Sequence, residues 1–164
     1  MRHFLAVFSA FILLVVGAPS LAQKAEEEKV PLVIEAQKLT YSDEEKVAIY
    51  IGNVIAQHGQ TILKGDKLII YFDKSGKNIK KIIVEGNVKI KDPRGEGSCD
   101  KLIYYPYQEK VVLIGNAVLK QDKNLVVGDK IVALKSGKIE VIGEKQRVKT
   151  VIYPEEANGK LPRP

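Results

Sequence analysis

From Val30 to Tyr153 apolar and polar residues alternate, and no stretch sustains a 3.6-residue period. Side chains of an extended chain point to opposite faces in turn, so this alternation predicts strands that bury one face. Val, Ile, Leu and Tyr are dense, as strands prefer. Turn-forming residues cluster at 42–45, 73–78, 92–97, 121–124 and 135–138, and these divide the chain into hairpins.

The alternation is interrupted at regular places. Ile51-Gly52-Asn53-Val54, Glu85-Gly86-Asn87-Val88 and Ile114-Gly115-Asn116-Ala117 form one recurring block. A second block, Gly65-Asp66-Lys67-Leu68, Cys99-Asp100-Lys101-Leu102 and Gly128-Asp129-Lys130-Ile131, begins 13 residues after each of these glycines. The unit returns after 34 and then 29 residues. Half-copies flank the array, Ala36-Gln37-Lys38-Leu39 before it and Val141-Ile142-Gly143 after it. Such a series is the mark of a β-repeat array with incomplete end units. A glycine within a strand weakens it unless geometry requires it, so the recurring Gly predicts bulges that curve the sheet. The expected fold is all-β: an antiparallel β-jellyroll, built as an open V-shaped sandwich of repeated strands.

The repeat also predicts which side chains share the interior. Ile82, Val84, Val88 and Ile90 alternate with Lys81, Glu85, Asn87 and Lys89. The next unit gives Val111, Leu113, Ala117 and Leu119. The second-block strands supply Leu39, Tyr41, Leu68, Ile70, Phe72, Leu102, Tyr104 and Ile131.

The N-terminus changes the picture of location. Arg2 and His3 precede the apolar run Phe4–Val16, which Gly17 and Pro19 end, and Ser20-Leu21-Ala22 supplies small residues where a signal peptidase reads. A bilayer needs about 20 apolar residues, so this run is short for a membrane span and reads as a cleaved secretory signal, residues 1–22. The mature chain would then start near Gln23, after Ala22, with a charged linker over 23–29, one β-domain over 30–154 and a Pro-rich tail over 155–164.

Net charge is +6 for the whole chain, with 26 Lys and Arg against 20 Asp and Glu. For an exported protein, a phosphorylated lipid of the envelope is a better match to this basic balance than nucleic acid. The charges are interspersed along the strands, as on a solvated face. Cys99 is the only cysteine, so no intramolecular disulfide forms, and it stands in the slot of Gly65 and Gly128, which calls for a small residue. Past the signal, His58 and Cys99 are the only His and Cys, which excludes the usual zinc sets. No G-x-S-x-G elbow and no phosphate-binding G-x-x-x-x-G-K occurs. Asp66, Asp100 and Asp129 hold equivalent places in successive repeats and read as structural. No catalytic residues, metal ligands or cofactor are expected, and the chain does not read as an enzyme.

The ordered set Pro31-Leu32-Val33-Ile34-Glu35-Ala36, Gly52-Asn53-Val54-Ile55, Gly115-Asn116-Ala117-Val118-Leu119, Gly128-Asp129-Lys130-Ile131 and Val148-Lys149-Thr150-Val151-Ile152-Tyr153-Pro154 resembles the LptA/OstA-like family of periplasmic lipopolysaccharide-transport proteins. The resemblance spans about residues 30–154. It implies a periplasmic β-jellyroll with an apolar groove that shields the acyl chains of lipid A. Its protomers would stack head to tail between an LptC-like inner-membrane and an LptD-like outer-membrane protein, bridging the two membranes for outer-membrane assembly. Family positions facing lipid correspond to Leu32, Ile34, Leu39, Tyr41 and Tyr104, and further to Ile90 and Pro106. With the parity of the repeats, the expected groove is Leu32, Ile34, Leu39, Tyr41, Leu68, Ile70, Phe72, Val84, Ile90, Leu102, Tyr104 and Leu113. Alternatives are an LptC-like or LptD N-terminal-like transport component, or a structural β-repeat scaffold whose interior is filled by its own side chains.

Overall fold

The computed structural model describes residues 29–154. The signal segment with its cleavage point, most of the linker and the 155–164 tail lie outside the described residues. Ten strands follow one another: β1 (Leu32–Glu35), β2 (Lys38–Ser42), β3 (Val47–His58), β4 (Thr61–Phe72), β5 (Ile79–Asp92), β6 (Gly95–Tyr105), β7 (Lys110–Gln121), β8 (Asn124–Leu134), β9 (Ile139–Ile142) and β10 (Lys149–Val151). All pair antiparallel in one unclosed sheet. No helix among the described residues is long and apolar enough to cross a membrane.

The turns fall largely where the turn-forming residues cluster, with one shift and four further connections, at 36–37, 59–60, 106–109 and 143–148. The β5–β6 turn is only Pro93-Arg94, and Gly95 to Gly97 belong to β6. A tight turn at Gly59-Gln60 and a 3₁₀ turn at Pro106–Gln108 were not marked by the Gly, Asn and Ser clusters of the sequence.

The recurring glycines are the crease of the sheet. Gly52, Gly86 and Gly115 have φ of 90°, 80° and 80°, and the asparagines after them have φ of 44°, 48° and 45°. Two successive left-handed residues form a bulge: β3, β5 and β7 each use one residue more than their partners there, between Ile51 and Val54, Glu85 and Val88, and Ile114 and Ala117. Asparagine tolerates this conformation better than other side-chain-bearing residues, and glycine has no Cβ to clash. A Cβ on Gly86 would meet the Asp66 carboxylate, and one on Gly115 would meet that of Asp100.

Each long strand therefore divides into two leaves. In β4 the inner face takes Leu63 and Gly65 before the crease but Leu68 and Ile70 after it, so Asp66 and Lys67 are passed in succession without an inward side chain. The end units supply one short strand per leaf. At one edge β1 pairs with β3 over Ile55–His58, and β2 pairs with it over Val47–Ile51. At the other, β9 pairs with β8 over Lys130–Ala133 and β10 over Leu125–Val127. The half-copies are thus the edge versions of the repeat: Gln37 donates its backbone N–H to the Gly52 carbonyl at 3.1 Å, in the place that Asp66 takes one repeat later.

Both leaves contribute to a single core. Val54, Val88, Cys99 and Ala117 of one leaf pack with Leu68, Val84, Leu102, Leu113 and Ile131 of the other. Each such fully buried aliphatic side chain contributes about 1.5–3 kcal/mol of hydrophobic stabilisation. The small slot beside the crease has a physical reason: a Cβ on Gly65 or Gly128 would collide with Val84 or Val141. Cys99, the largest side chain admitted there, is buried.

Candidate functional site

The inner face is organised as three apolar rungs that cross the sheet. One runs Leu39–Tyr50–Leu68–Val84–Leu102–Leu113–Ile131–Val141, unbroken from edge to edge. A second runs Tyr41–Ala48–Ile70–Ile82–Tyr104–Val111–Ala133–Ile139. The third, on the other leaf, runs Ile34–Ala56–Leu63–Ile90–Gly97–Leu119–Val126.

The residues expected to line a groove take distinct places on these rungs. Leu68, Ile70, Val84, Leu102 and Leu113 sit at the centre and are buried, with Val84 at 0% and Leu102 at 1% exposure. Ile34, Phe72, Ile90 and Tyr104 pack against that centre and stay half-buried. Leu32, Leu39 and Tyr41 lie on the edge strands, outside the core cluster, with Leu39 55% and Tyr41 50% exposed. Tyr41 still reaches Phe72, edge to face, with ring centroids 6.3 Å apart. Pro106 lies in the 3₁₀ turn and belongs to none of the rungs. The interior is therefore closed by its own side chains at the middle and opens at the edge strands, at Leu39 and Tyr41 of β2 and at Ile139 of β9.

Several inner residues escaped the parity of the repeats. Ala48, Tyr50, Val54 and Ala56 of β3 all face inward, but Ile49, Ile51 and Ile55 alternate with them, so β3 is apolar on both faces and its pattern does not tell which set is inside. Leu63 and Val126 lie beyond the crease, where the even-numbered strands change parity. Gly97 belongs to the turn-forming cluster 92–97 of the sequence. It is instead a hole in the third rung, and a Cβ there would press on Ile90, Leu113 and Leu119.

Polar groups at the crease are committed to structure. Asn87 Nδ2 donates to Asp66 Oδ2, and Asn116 Nδ2 to Asp100 Oδ2, each at 3.0 Å. Among the described residues Asp129 has no asparagine partner. Its Oδ2 accepts the backbone N–H groups of Glu144, Lys145 and Gln146 at 2.6, 2.7 and 3.0 Å. Those donors, Gln146 and Glu144 foremost, hold its carboxyl below the ordinary aspartate range. Burial pushes the Cys99 thiol up to about 11. Among the described residues no group of three His, Cys, Asp or Glu converges as a metal site.

The outer face of the first leaf bears its own apolar rung, Ile49–Ile69–Ile83–Ile103–Val112–Val132. Ile69, Ile83 and Val112 are buried although they do not belong to the inner core. The rungs on either side carry Lys67, Glu85 and Lys101, and Tyr71, Lys81, Tyr105 and Lys110. Long stems of this kind cover apolar surface while their charges stay in water. Lys81 and Lys110 each stand 4.7 Å over the ring of Tyr71 and Tyr105 respectively.

The family model described as LptA/(LptD N-terminal domain) LPS transport protein matches residues 33–147. The lipopolysaccharide export system protein LptA of Escherichia coli (strain K12) is 27% identical over 158 residues, covering 90% of this chain and 84% of the relative. The lipopolysaccharide export system protein LptH of Pseudomonas aeruginosa is 28% identical over 120 residues, 69% of this chain and 67% of LptH. The crystal structure of LptH, described as the LptA homologous periplasmic component of the conserved lipopolysaccharide transport device, superposes with a TM-score of 0.69 at 24% identity, over 78% of this chain and 99% of that one. The fold is thus the open antiparallel β-jellyroll that the repeats predict.

Proposed function

Because the chain belongs to the LptA/(LptD N-terminal domain) LPS transport protein family, we propose that it is a periplasmic lipopolysaccharide carrier that shields lipid A acyl chains between its leaves while bridging the inner and outer membranes. The observation that carries this reading is the set of apolar rungs running across the sheet, whose members on β2, Leu39 and Tyr41, stand exposed. One acyl chain gives only marginal membrane affinity, on the order of 10⁴ M⁻¹, but about 0.8 kcal/mol per buried CH₂ accumulates over several chains. A multi-chain lipid therefore does not cross an aqueous gap unshielded. Rungs of Leu, Ile, Val, Phe and Tyr cover such chains without selecting their length. The closed centre implies that chains enter where the rungs open, at Ile34, Leu39, Tyr41, Phe72 and Tyr104, and that the leaves part as Leu68, Leu102 and Leu113 yield.

The bridge follows from the edges. β1 and β10 end one leaf at its two sides, and β2 and β9 end the other. Leu32, Val33, Leu39, Tyr41, Ile139, Val148, Ile152 and Tyr153 are exposed there. Open sheet edges with apolar side chains invite strand addition, and head-to-tail addition extends without closing. A second copy, an LptC-like protein or the N-terminal part of an LptD-like protein would each fit. Transport without covalent chemistry accords with Asp66, Asp100 and Asp129 being engaged at the crease.

Ile34→Asp and Tyr104→Asp, each placing an unpaired charge beside the chains, should weaken lipopolysaccharide binding at least tenfold while circular dichroism stays that of the parent. Unchanged affinity in both folded variants would remove the groove. The buried centre favours a second reading, a scaffold that needs no lipid. Solvent extraction of the purified protein and mass spectrometry separate the two: co-purified lipid A supports the carrier, and a lipid-free protein that binds none on titration supports the scaffold.

A further inference from the structure

The outer face of the second leaf holds a concavity of about 580 Å³, whose polar groups lie on the opposite side of the sheet from the third apolar rung. Two cross-strand rows build it. In one, Lys64 stands directly opposite Lys89, which stands opposite Ser98. In the other, Lys91 faces Glu96, and Glu96 faces Lys120. Ile62 and Leu125 close the ends of this second row.

The Lys91–Glu96–Lys120 row repeats the Lys67–Glu85–Lys101 row of the first leaf, but the Lys64–Lys89 pair has no counterpart there. There, cross-strand neighbours compensate each other: Lys101 lies 3.7 Å from Glu85, and Lys81 and Lys110 lie over tyrosine rings. In the concavity Glu96 is drawn toward Lys91 at 3.5 Å. Lys64, Lys89 and Lys120 form no ion pair with a carboxylate among the described residues. Like charges directly opposite on a sheet repel and destabilise the pair. Lysines that converge on a hollow with a hydroxyl at its floor suit a compact polyanion, because an ammonium is a point charge with three free donors. A hollow of this size lies within the range of small-ligand sites, roughly 300–1,000 Å³.

We propose that this concavity is a binding site for a phosphorylated sugar or phosphomonoester headgroup, held by Lys64, Lys89 and Lys120 with Ser98 donating from the floor and Ile62 and Leu125 flanking the ligand's carbon skeleton. Ile90 and Gly97 of the third rung also line the hollow, but its polar groups alternate with them along the strands and so belong to the opposite face, and binding there does not call for lipid chains between the leaves. The phosphate is the recognised group, and it has two sources: a soluble sugar phosphate, or the headgroup of an amphiphile that meets the outer face.

The full chain, labelled with ¹⁵N, is titrated with glucose 1-phosphate, with neutral glucose as control, and its binding to vesicles with and without phosphatidic acid is followed by flotation. Saturable shifts at Lys64, Lys89 and Ser98 with glucose 1-phosphate assign a soluble ligand. Flotation only with phosphatidic acid, without a sugar-phosphate response, assigns a headgroup. In either case the Lys64→Gln, Lys89→Gln double variant should bind at least tenfold more weakly, and Tyr104→Asp should leave binding unchanged. The site is overturned if neither probe binds saturably, or if the double variant, folded by circular dichroism, binds as the parent does. Both outcomes leave lipopolysaccharide binding by the interior to be judged separately.

Discussion

The side-chain amide of Asn87 donates a 3.0 Å hydrogen bond to Oδ2 of Asp66 from a backbone held at φ 48°. Asn116 and Asp100 repeat the bond at the same length. The bond ties a bulged strand to its partner at the point where both turn from one leaf to the other. Asparagine both accepts the left-handed backbone and makes the bond.

Gly86→Ala should therefore be costly, since it adds a Cβ against the Asp66 carboxylate at φ 80°. A loss of about 2–3 kcal/mol is expected from strain and displacement of the carboxylate. Asn87→Gly, which keeps the backbone and removes the bond, should cost about 1 kcal/mol. Urea titration of the two variants measures both. A Gly86→Ala variant as stable as the parent would show that the bulge does not depend on glycine.

Cys99 should be unreactive in the folded protein. Burial raises its thiol to about 11, which leaves only about a thousandth as thiolate at pH 8. Alkylation by iodoacetamide should be slow at pH 8 and should rise steeply as pH approaches 11 or when denaturant is added. Fast labelling at neutral pH without unfolding would place the thiol outside the slot beside the crease.

Asp129 should titrate below the ordinary aspartate value of about 3.9, because the N–H groups of Gln146, Glu144 and Lys145 stabilise its charged form. A carboxyl lowered by folding contributes stability that is present above its unfolded pKa and lost as pH falls through its folded pKa. On acidification the 144–146 loop should therefore loosen only below the ordinary range. The carboxyl carbon of Asp129 and the three amides, followed together by NMR, should share one midpoint. A midpoint at or above 3.9 would mean that the loop does not cradle the carboxylate.

Deleting residues 148–164 removes β10, which covers only Leu125–Val127 of β8. β9 and the crease remain, so the leaves should stay folded and the interior should keep its affinity for lipid. Concentration-dependent association of the parent in sedimentation should disappear. Oligomers that persist unchanged in the truncation would put the contact somewhere other than this edge.

The interior of β5 to β8 was legible because the repeat carries the parity of one unit forward to the next, even where the outer face is also apolar. Leu68, Val84, Leu102, Leu113 and Ile131 lie where the spacing predicts, in one buried rung. The bulges were legible because glycine inside a strand has few other uses, and the half-copies announced that the end units are incomplete. What pairs across the crease was not. Asp66 meets an asparagine 21 residues on and Asp100 one 16 residues on, since the intervening hairpins differ in length. Ile82, Ile83 and Val84 are all buried, yet alternation assigns only the outer two of the three to the core. Ile83 is covered from the other side, where neighbouring strands bring lysine and tyrosine stems to it. The change of parity at Asp66-Lys67 and the facing of Lys64 by Lys89 also arise only when strands are set side by side. A two-residue period determines that faces alternate along one strand, whereas register, bulge and leaf decide which face a residue meets and what stands opposite it.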